Sequence, residues 1–194
     1  GLLILGSSST PDTSLILNSN TIDSINLSSV YLQAQRDFNI YDNYWDYKNT
    51  TSAATSEGNG INIVGACANG NIYRNNFYRI RHNGTVQTRG ISLNSTATSP
   101  NISIYNNFFG DLWNPGISNA FSLYGIRVDN ATGGVKIYHN SFNFTTAMSN
   151  SSAVSTCIGV VGTTSASSID IRNNIFRNVK IGRAHVWTPV TLIY

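Results

Sequence analysis

Apolar and polar positions along this chain alternate in short bursts, and one burst keeps returning. Five segments follow the pattern hydrophobe-x-Ile-x-x-Asn-x-aromatic, with Gly70 in the first slot of one copy. They are FNIYDNYW (Phe38 to Trp45), GNIYRNNF (Gly70 to Phe77), ISIYNNFF (Ile102 to Phe109), VKIYHNSF (Val135 to Phe142) and IDIRNNIF (Ile169 to Phe176). Their asparagines, Asn43, Asn75, Asn107, Asn140 and Asn174, are spaced 32, 32, 33 and 34 residues apart. A weaker copy, LILNSNTI (Leu15 to Ile22), puts Asn20 in the same slot. A fixed period with a fixed polar residue signals a stacked repeat.

Each period predicts three strands. Upstream of four of the asparagines lie GINI (Gly60 to Ile63), GISL (Gly90 to Leu93), GIRV (Gly125 to Val128) and CIGV (Cys157 to Val160). These are short alternating segments with one buried face. Behind the asparagine comes an aromatic with a nearby hydrophobe, as in Phe77 with Ile80, Phe109 with Leu112 and Phe176 with Val179. Three short strands per repeat, parted by Gly, Asn and Ser turns, make one coil of a parallel β-helix. The asparagine is expected to turn the chain between the second and third strands in a left-handed conformation. Coils stack about 4.8 Å apart, so its amide should bond up and down the pile. Helix-type apolar spacing is absent, and Asn, Ser, Thr, Ile and Tyr outnumber the strong helix formers.

From Leu15 to Val179 the repeat resembles the right-handed parallel β-helix of the pectate-lyase-like superfamily. The resemblance implies an all-β solenoid of about five to six three-stranded coils. It does not choose a function, because the superfamily holds polysaccharide lyases, glycoside hydrolases, phage tailspikes, periplasmic repeat proteins and bacterial surface proteins. The family's catalytic patterns are missing here. There is no Asn-Thr-Asp, Asp-Asp, Gly-His-Gly or Arg-Ile-Lys, and no aspartate cluster to hold calcium beside an arginine.

The outward slot after the inward Ile holds Tyr41, Tyr73, Tyr105, Tyr138 and then Arg172. Two residues earlier come Asn39, Asn71, Ser103, Lys136 and Asp170. A strip of phenol rings beside hydrogen-bonding groups suits sugars, which offer an apolar face and a hydroxyl edge. Tyrosines stacked only on one another would serve stability instead. A neighbouring stripe, Asp42, Arg74, Asn106, His139 and Asn173, mixes acid, base and amide. A β-elimination lyase needs a base near the sugar's acidic carbon. A glycosidase needs two carboxylates about 5 to 9.5 Å apart. Asp42 and Asp46 form the closest acidic pair, with Arg74 and His139 as candidate bases; turn positions also favour Asp and Asn without any chemistry. The reading is therefore a surface or appendage module that binds polysaccharide or a cell-surface glycan. The alternative is a fragment of a polysaccharide lyase or glycoside hydrolase.

Composition agrees with an extracellular or cell-surface location. Only 11% of residues are charged and the formal net charge is +3, with no basic patch for nucleic acid. No apolar run reaches the 18 or so residues of a membrane span. Carboxylates are scarce, at eight Asp and Glu57. Cys67 and Cys157 fall three coils apart, roughly 14 Å, too far for a disulfide, and both thiols are expected buried and unpaired. With no CxxC pair or His cluster, neither a metal nor another cofactor is expected. The pattern leaves room for an oligomer. Asn-x-Ser/Thr triplets begin at Asn26, Asn49, Asn83, Asn94, Asn101, Asn130, Asn143 and Asn150, and most arise from composition. Longer inserts at Trp113 to Tyr124 and Thr145 to Thr156 are loop candidates at one corner. The segment Ile181 to Thr191 resembles a translated sequencing adapter, with Trp187 at a read-through stop codon. Residues 1–180 then form the β-helix domain, incomplete at both ends, and 181–194 a non-native tail, so His185 and Trp187 carry no function.

Overall fold

The computed structural model describes residues 1–23, 28–48, 57–82, 85–114, 123–129, 133–145, 153–161 and 169–179. The tail from Lys180 onward lies outside these residues, as do Asn26, Asn49, Asn83, Asn130 and Asn150 and most of both inserts.

Among the described residues the protein is all-β, a parallel solenoid of three six-stranded sheets. The first sheet stacks Leu2–Leu5, Ser28–Gln33, Gly58–Gly65, Thr88–Ser95, Leu123–Val128 and Ser155–Val160. The second stacks Ile16–Asn18, Asn39–Tyr41, Asn71–Tyr73, Ser103–Tyr105, Val135–Tyr138 and Ile169–Arg172. The third stacks Thr21–Asp23, Tyr44–Lys48, Asn76–Arg81, Phe108–Trp113, Ser141–Phe144 and Ile175–Asn178. Each coil contributes one strand to every sheet. Asp12–Thr13 and Gln35–Arg36 add a short two-stranded sheet at the corner between the first and second. No helix among the described residues is long and apolar enough to cross a membrane.

The repeat fixes the register. Ile40, Ile72, Ile104 and Ile137 pair coil to coil on the second sheet and are fully buried. On the first sheet Val30, Ile61, Ile91 and Ile126 form one inward row. Because side chains alternate, a slip of one residue would turn every such row outward, so apolar burial enforces the alignment. The third sheet carries an inner aromatic stack. Trp45, Phe77, Phe109 and Phe142 lie with centroids 4.5, 4.7 and 4.7 Å apart. Phe176 ends the stack at 5.4 Å.

The asparagine amides run along the second corner. Asn43, Asn75, Asn107 and Asn140 are buried, while Asn20 is exposed. The backbone at this corner corrects the expectation from sequence. The left-handed residue is the one before each asparagine: Ser19, Asp42, Arg74, Asn106, His139 and Asn173, with φ between 52° and 56°. The asparagine itself is spared that conformation. Its amide is needed inside, where carbonyls that the strand ladder leaves over must find donors. The left-handed turn is met just outside, mostly by polar residues that tolerate it.

Candidate functional site

The outer face of the second sheet brings the sequence candidates into register. Asn39 pairs with Asn71 and Tyr41 with Tyr73. Ser103 pairs with Lys136 and Tyr105 with Tyr138. Asn71 Nδ2 donates to Asn39 Oδ1 at 3.1 Å. The four phenols are half-buried, and successive centroids stand 5.0 Å apart with interplanar angles of 10°, 3° and 1°. Burial, with the neighbouring phenols, raises the Tyr105 pKa.

Rings this close and parallel turn their faces toward one another. Tyr73 and Tyr105 therefore show solvent their edges and hydroxyls, and a sugar cannot lay its apolar face on them. That corrects the face-stacking mode expected from sequence. What the row offers instead is a strip of phenol hydroxyls, amides, Ser103 and Lys136, repeated once per coil. Both ends of the row are closed as well. Asn18 Nδ2 donates to the Tyr41 hydroxyl at 3.0 Å, and the Arg172 guanidinium lies 6.0 Å from the Tyr138 centroid.

The four candidate catalytic residues do not converge. Arg74 makes a bidentate contact to Asp42, Nε to Oδ1 at 2.8 Å and Nη2 to Oδ2 at 2.6 Å. That hydrogen bond holds the Asp42 carboxyl below its usual range, which suits a counter-ion and not a proton donor. The Arg74 guanidinium also sits 4.9 Å from the Tyr73 centroid, as a cation on an aromatic ring. Asp46 lies on the third sheet and is bound by Arg79 at 2.8 and 2.5 Å. His139 is exposed two coils beyond Arg74, edge-on to Tyr138 at 5.5 Å.

A denser ionic group, which the sequence pattern had not suggested, lies on the outer face of the first sheet. Arg89 is only 5% exposed, yet its Nη2 donates to Glu57 at 2.5 Å and to Gln87 at 2.7 Å, and its Nη1 to Ser92 at 2.9 Å. Asp129 stands 4.0 Å from Arg89 and 2.6 Å from Arg127. Arg127 also donates to Gln87 and lies 5.1 Å from the buried Tyr124 ring. Burial pushes the Arg89 pKa down and the Tyr124 pKa up. Glu57, Arg89 and Asp129 come from three coils, at positions outside the repeat. Only the strand register, Asn59 beside Arg89 beside Tyr124, brings them together.

Both thiols are buried and free. Cys67 Sγ accepts from the Gln35 amide at 3.3 Å and donates to the Val64 carbonyl at 3.2 Å. Burial drives the Cys157 pKa up to about 12, far from a reactive thiolate. Among the described residues no group of three or more His, Cys, Asp or Glu could hold a metal ion.

Comparison with protein-family models, with curated proteins and with solved structures finds no match. The fold therefore stands on this chain's own register, and function must be argued from its surfaces.

Proposed function

We propose that this chain is a non-catalytic β-helix module of a surface or extracellular appendage, and that it binds polysaccharide along the outer face of its second sheet. The observation that carries this reading is the in-register row Tyr41, Tyr73, Tyr105 and Tyr138 beside Asn39, Asn71, Ser103 and Lys136. Coils repeat about every 4.8 Å, close to the length of one sugar residue. A glycan lying along the solenoid axis would meet the same donors and acceptors at each step. The low charge and the polar Asn, Ser and Thr surface favour the same setting. The likeness to the pectate-lyase-like superfamily adds a precedent for glycan chemistry on this architecture, by fold analogy alone.

The alternative, a fragment of a polysaccharide lyase or hydrolase, draws its support from the Glu57, Arg89, Arg127 and Asp129 group. Those carboxylates are already engaged by arginines, and catalysis there would require a substrate to displace them.

Affinity electrophoresis of the 194-residue chain through gels containing different polysaccharides tests the proposal. Tyr73→Phe/Tyr105→Phe removes the hydroxyl edge and keeps the rings stacked. Retardation by one polymer that weakens in this variant, with unchanged circular dichroism, supports the row as a glycan face. No retardation of the wild type by any polymer overturns it. Reducing-end or unsaturated products from a bound polymer would favour the alternative.

A further inference from the structure

We propose that the corner between the first and second sheets holds a second subsite, one that takes an oxyanionic substituent of the glycan. The inference rests on the glycan-binding reading and deepens it. A recess of about 470 Å³ opens at this corner, spanning the second to fourth coils. Its origin is a difference in turn length. The second and third coils pass from sheet to sheet through residues 34–38 and 66–70, whereas the fourth uses 96–102. The two extra residues push Thr96, Thr98 and Ser99 outward, and all three are exposed. Pro100 anchors this wall through its carbonyl, which accepts from the Asn69 amide at 2.7 Å. The floor is small, made by Ala66, Ala68 and Ala97, and space is left above it.

Among the described residues that line the recess, Arg36 carries the one charge, and the Asp37 carboxylate outside it is held by Asn69. Arg36 is exposed, and among the described residues its guanidinium makes no ion pair. This sets it apart from Arg74, Arg79, Arg89, Arg127 and Arg172, each of which meets a carboxylate. Around it stand neutral groups, the Thr96, Thr98 and Ser99 hydroxyls and the Asn69 and Asn101 amides. The two amides are linked to each other and to Asp37, which fixes their orientation. A planar guanidinium fork ringed by neutral donors matches a carboxylate or a sulfate ester, which it can grip at two oxygens. From Asn101, just before the strand Ser103–Tyr105, the outward side chains continue through Ser103 to Tyr105, at most about 13 Å at 3.3 Å per residue. A side branch of a glycan lying along the axis can thus reach the recess from the phenol row.

The experiment measures binding of the 194-residue chain to three polymers: one neutral, one bearing carboxylates and one bearing sulfate esters. Arg36→Gln and Arg36→Lys are compared with the wild type, and Tyr73→Phe/Tyr105→Phe is run beside them. The expected result is at least about a tenfold loss for Arg36→Gln on one of the two charged polymers, the loss of one charge-assisted contact. Affinity for the neutral polymer should not change. Arg36→Lys should recover only part, since it restores charge without the fork. Which charged polymer responds tells carboxylate from sulfate. Equal binding of the wild type and Arg36→Gln to both charged polymers overturns the subsite, as does failure of the wild type to bind either. If Arg36→Gln loses binding while the tyrosine variant keeps it, the recess stands and the phenol row fails. The reverse pattern leaves the row and removes the recess.

Discussion

Asn75 Oδ1 accepts two hydrogen bonds from Asn43, one from its backbone amide at 3.1 Å and one from its Nδ2 at 3.0 Å. Asn75 passes the same pair on to Asn107, 3.0 Å from both its own amide and its Nδ2. Its Nδ2 also reaches the Ile40 carbonyl at 2.8 Å. Each buried amide thus satisfies donors from the coil before it and a carbonyl the ladder leaves open. Asn75→Ala should strand several buried groups at once and cost about 2–4 kcal/mol, from about 1–3 kcal/mol for each unsatisfied group with partial relaxation. Asn20→Ala, at an exposed end, should cost far less. Urea denaturation of both variants checks the contrast. Equal losses would mean that the ladder's burial is not what matters.

Phe109 lies between Phe77 and Phe142, 4.7 Å from each, and is fully buried. Phe109→Ala should remove about 3–5 kcal/mol, a cavity term added to lost transfer energy. Phe176, 46% exposed at the end of the stack, should lose much less when truncated. Thermal and urea unfolding of the two variants measures the difference.

The fold was legible because two slots carry it. A recurrent Ile points inward and a recurrent Asn sits at the next turn, so the register of the second sheet follows from the spacing, whereas in the third sheet it holds at Trp45, Phe77 and Phe109 and then shifts by one residue at Tyr78 against Tyr44–Lys48. The strand Ser28–Gln33 carries no signal in the repeat because the first two asparagines are only 23 residues apart, which breaks the period. The site was less legible. Sequence could place tyrosines in adjacent coils, but not say whether their faces or edges meet solvent, which depends on ring orientation. It could not assemble Glu57, Arg89 and Asp129, which share no motif and meet only through cross-coil register. Nor could it assign the left-handed turn to Asp42 and Arg74 instead of their following asparagines, because Asn is itself among the residues most at ease in that region and Arg is not.

Gly90 belongs to the GISL segment and shares its slot with Gly60 and Gly125, and in these inner coils the glycine has a steric cause. A Cβ there would stand 2.6 Å from the Gly125 carbonyl oxygen and 2.8 Å from the Phe109 ring. Neither neighbour can retreat, since one is backbone and the other lies inside the aromatic stack. Gly90→Ala should therefore destabilise by about 1–3 kcal/mol or more through overpacking, against the usual small gain from removing a glycine. An unchanged or raised melting temperature would refute this account.

His82 lies fully buried at the corner between the third and first sheets. Its Nδ1 stands 3.5 Å from Asn114 Nδ2, its Nε2 has no hydrogen-bond partner among the described residues, and the Gly58 backbone packs against the ring. Burial alone lowers its pKa from the ordinary 6.5. The unfolded chain therefore takes up a proton near that ordinary value while the folded chain does not. Unfolding is coupled to proton uptake, and stability must rise with pH through this window. Above about 6.5 the residue is neutral in both states and its contribution is flat. As pH falls below that value stability declines, until the folded-state pKa is passed. His82→Asn, which offers its neighbour Asn114 an uncharged amide, should flatten the dependence between pH 8 and 5 whatever it does to stability at pH 8. Urea titrations of both proteins across that range give the slope. If the two slopes coincide, His82 is not the group that couples this fold to acid.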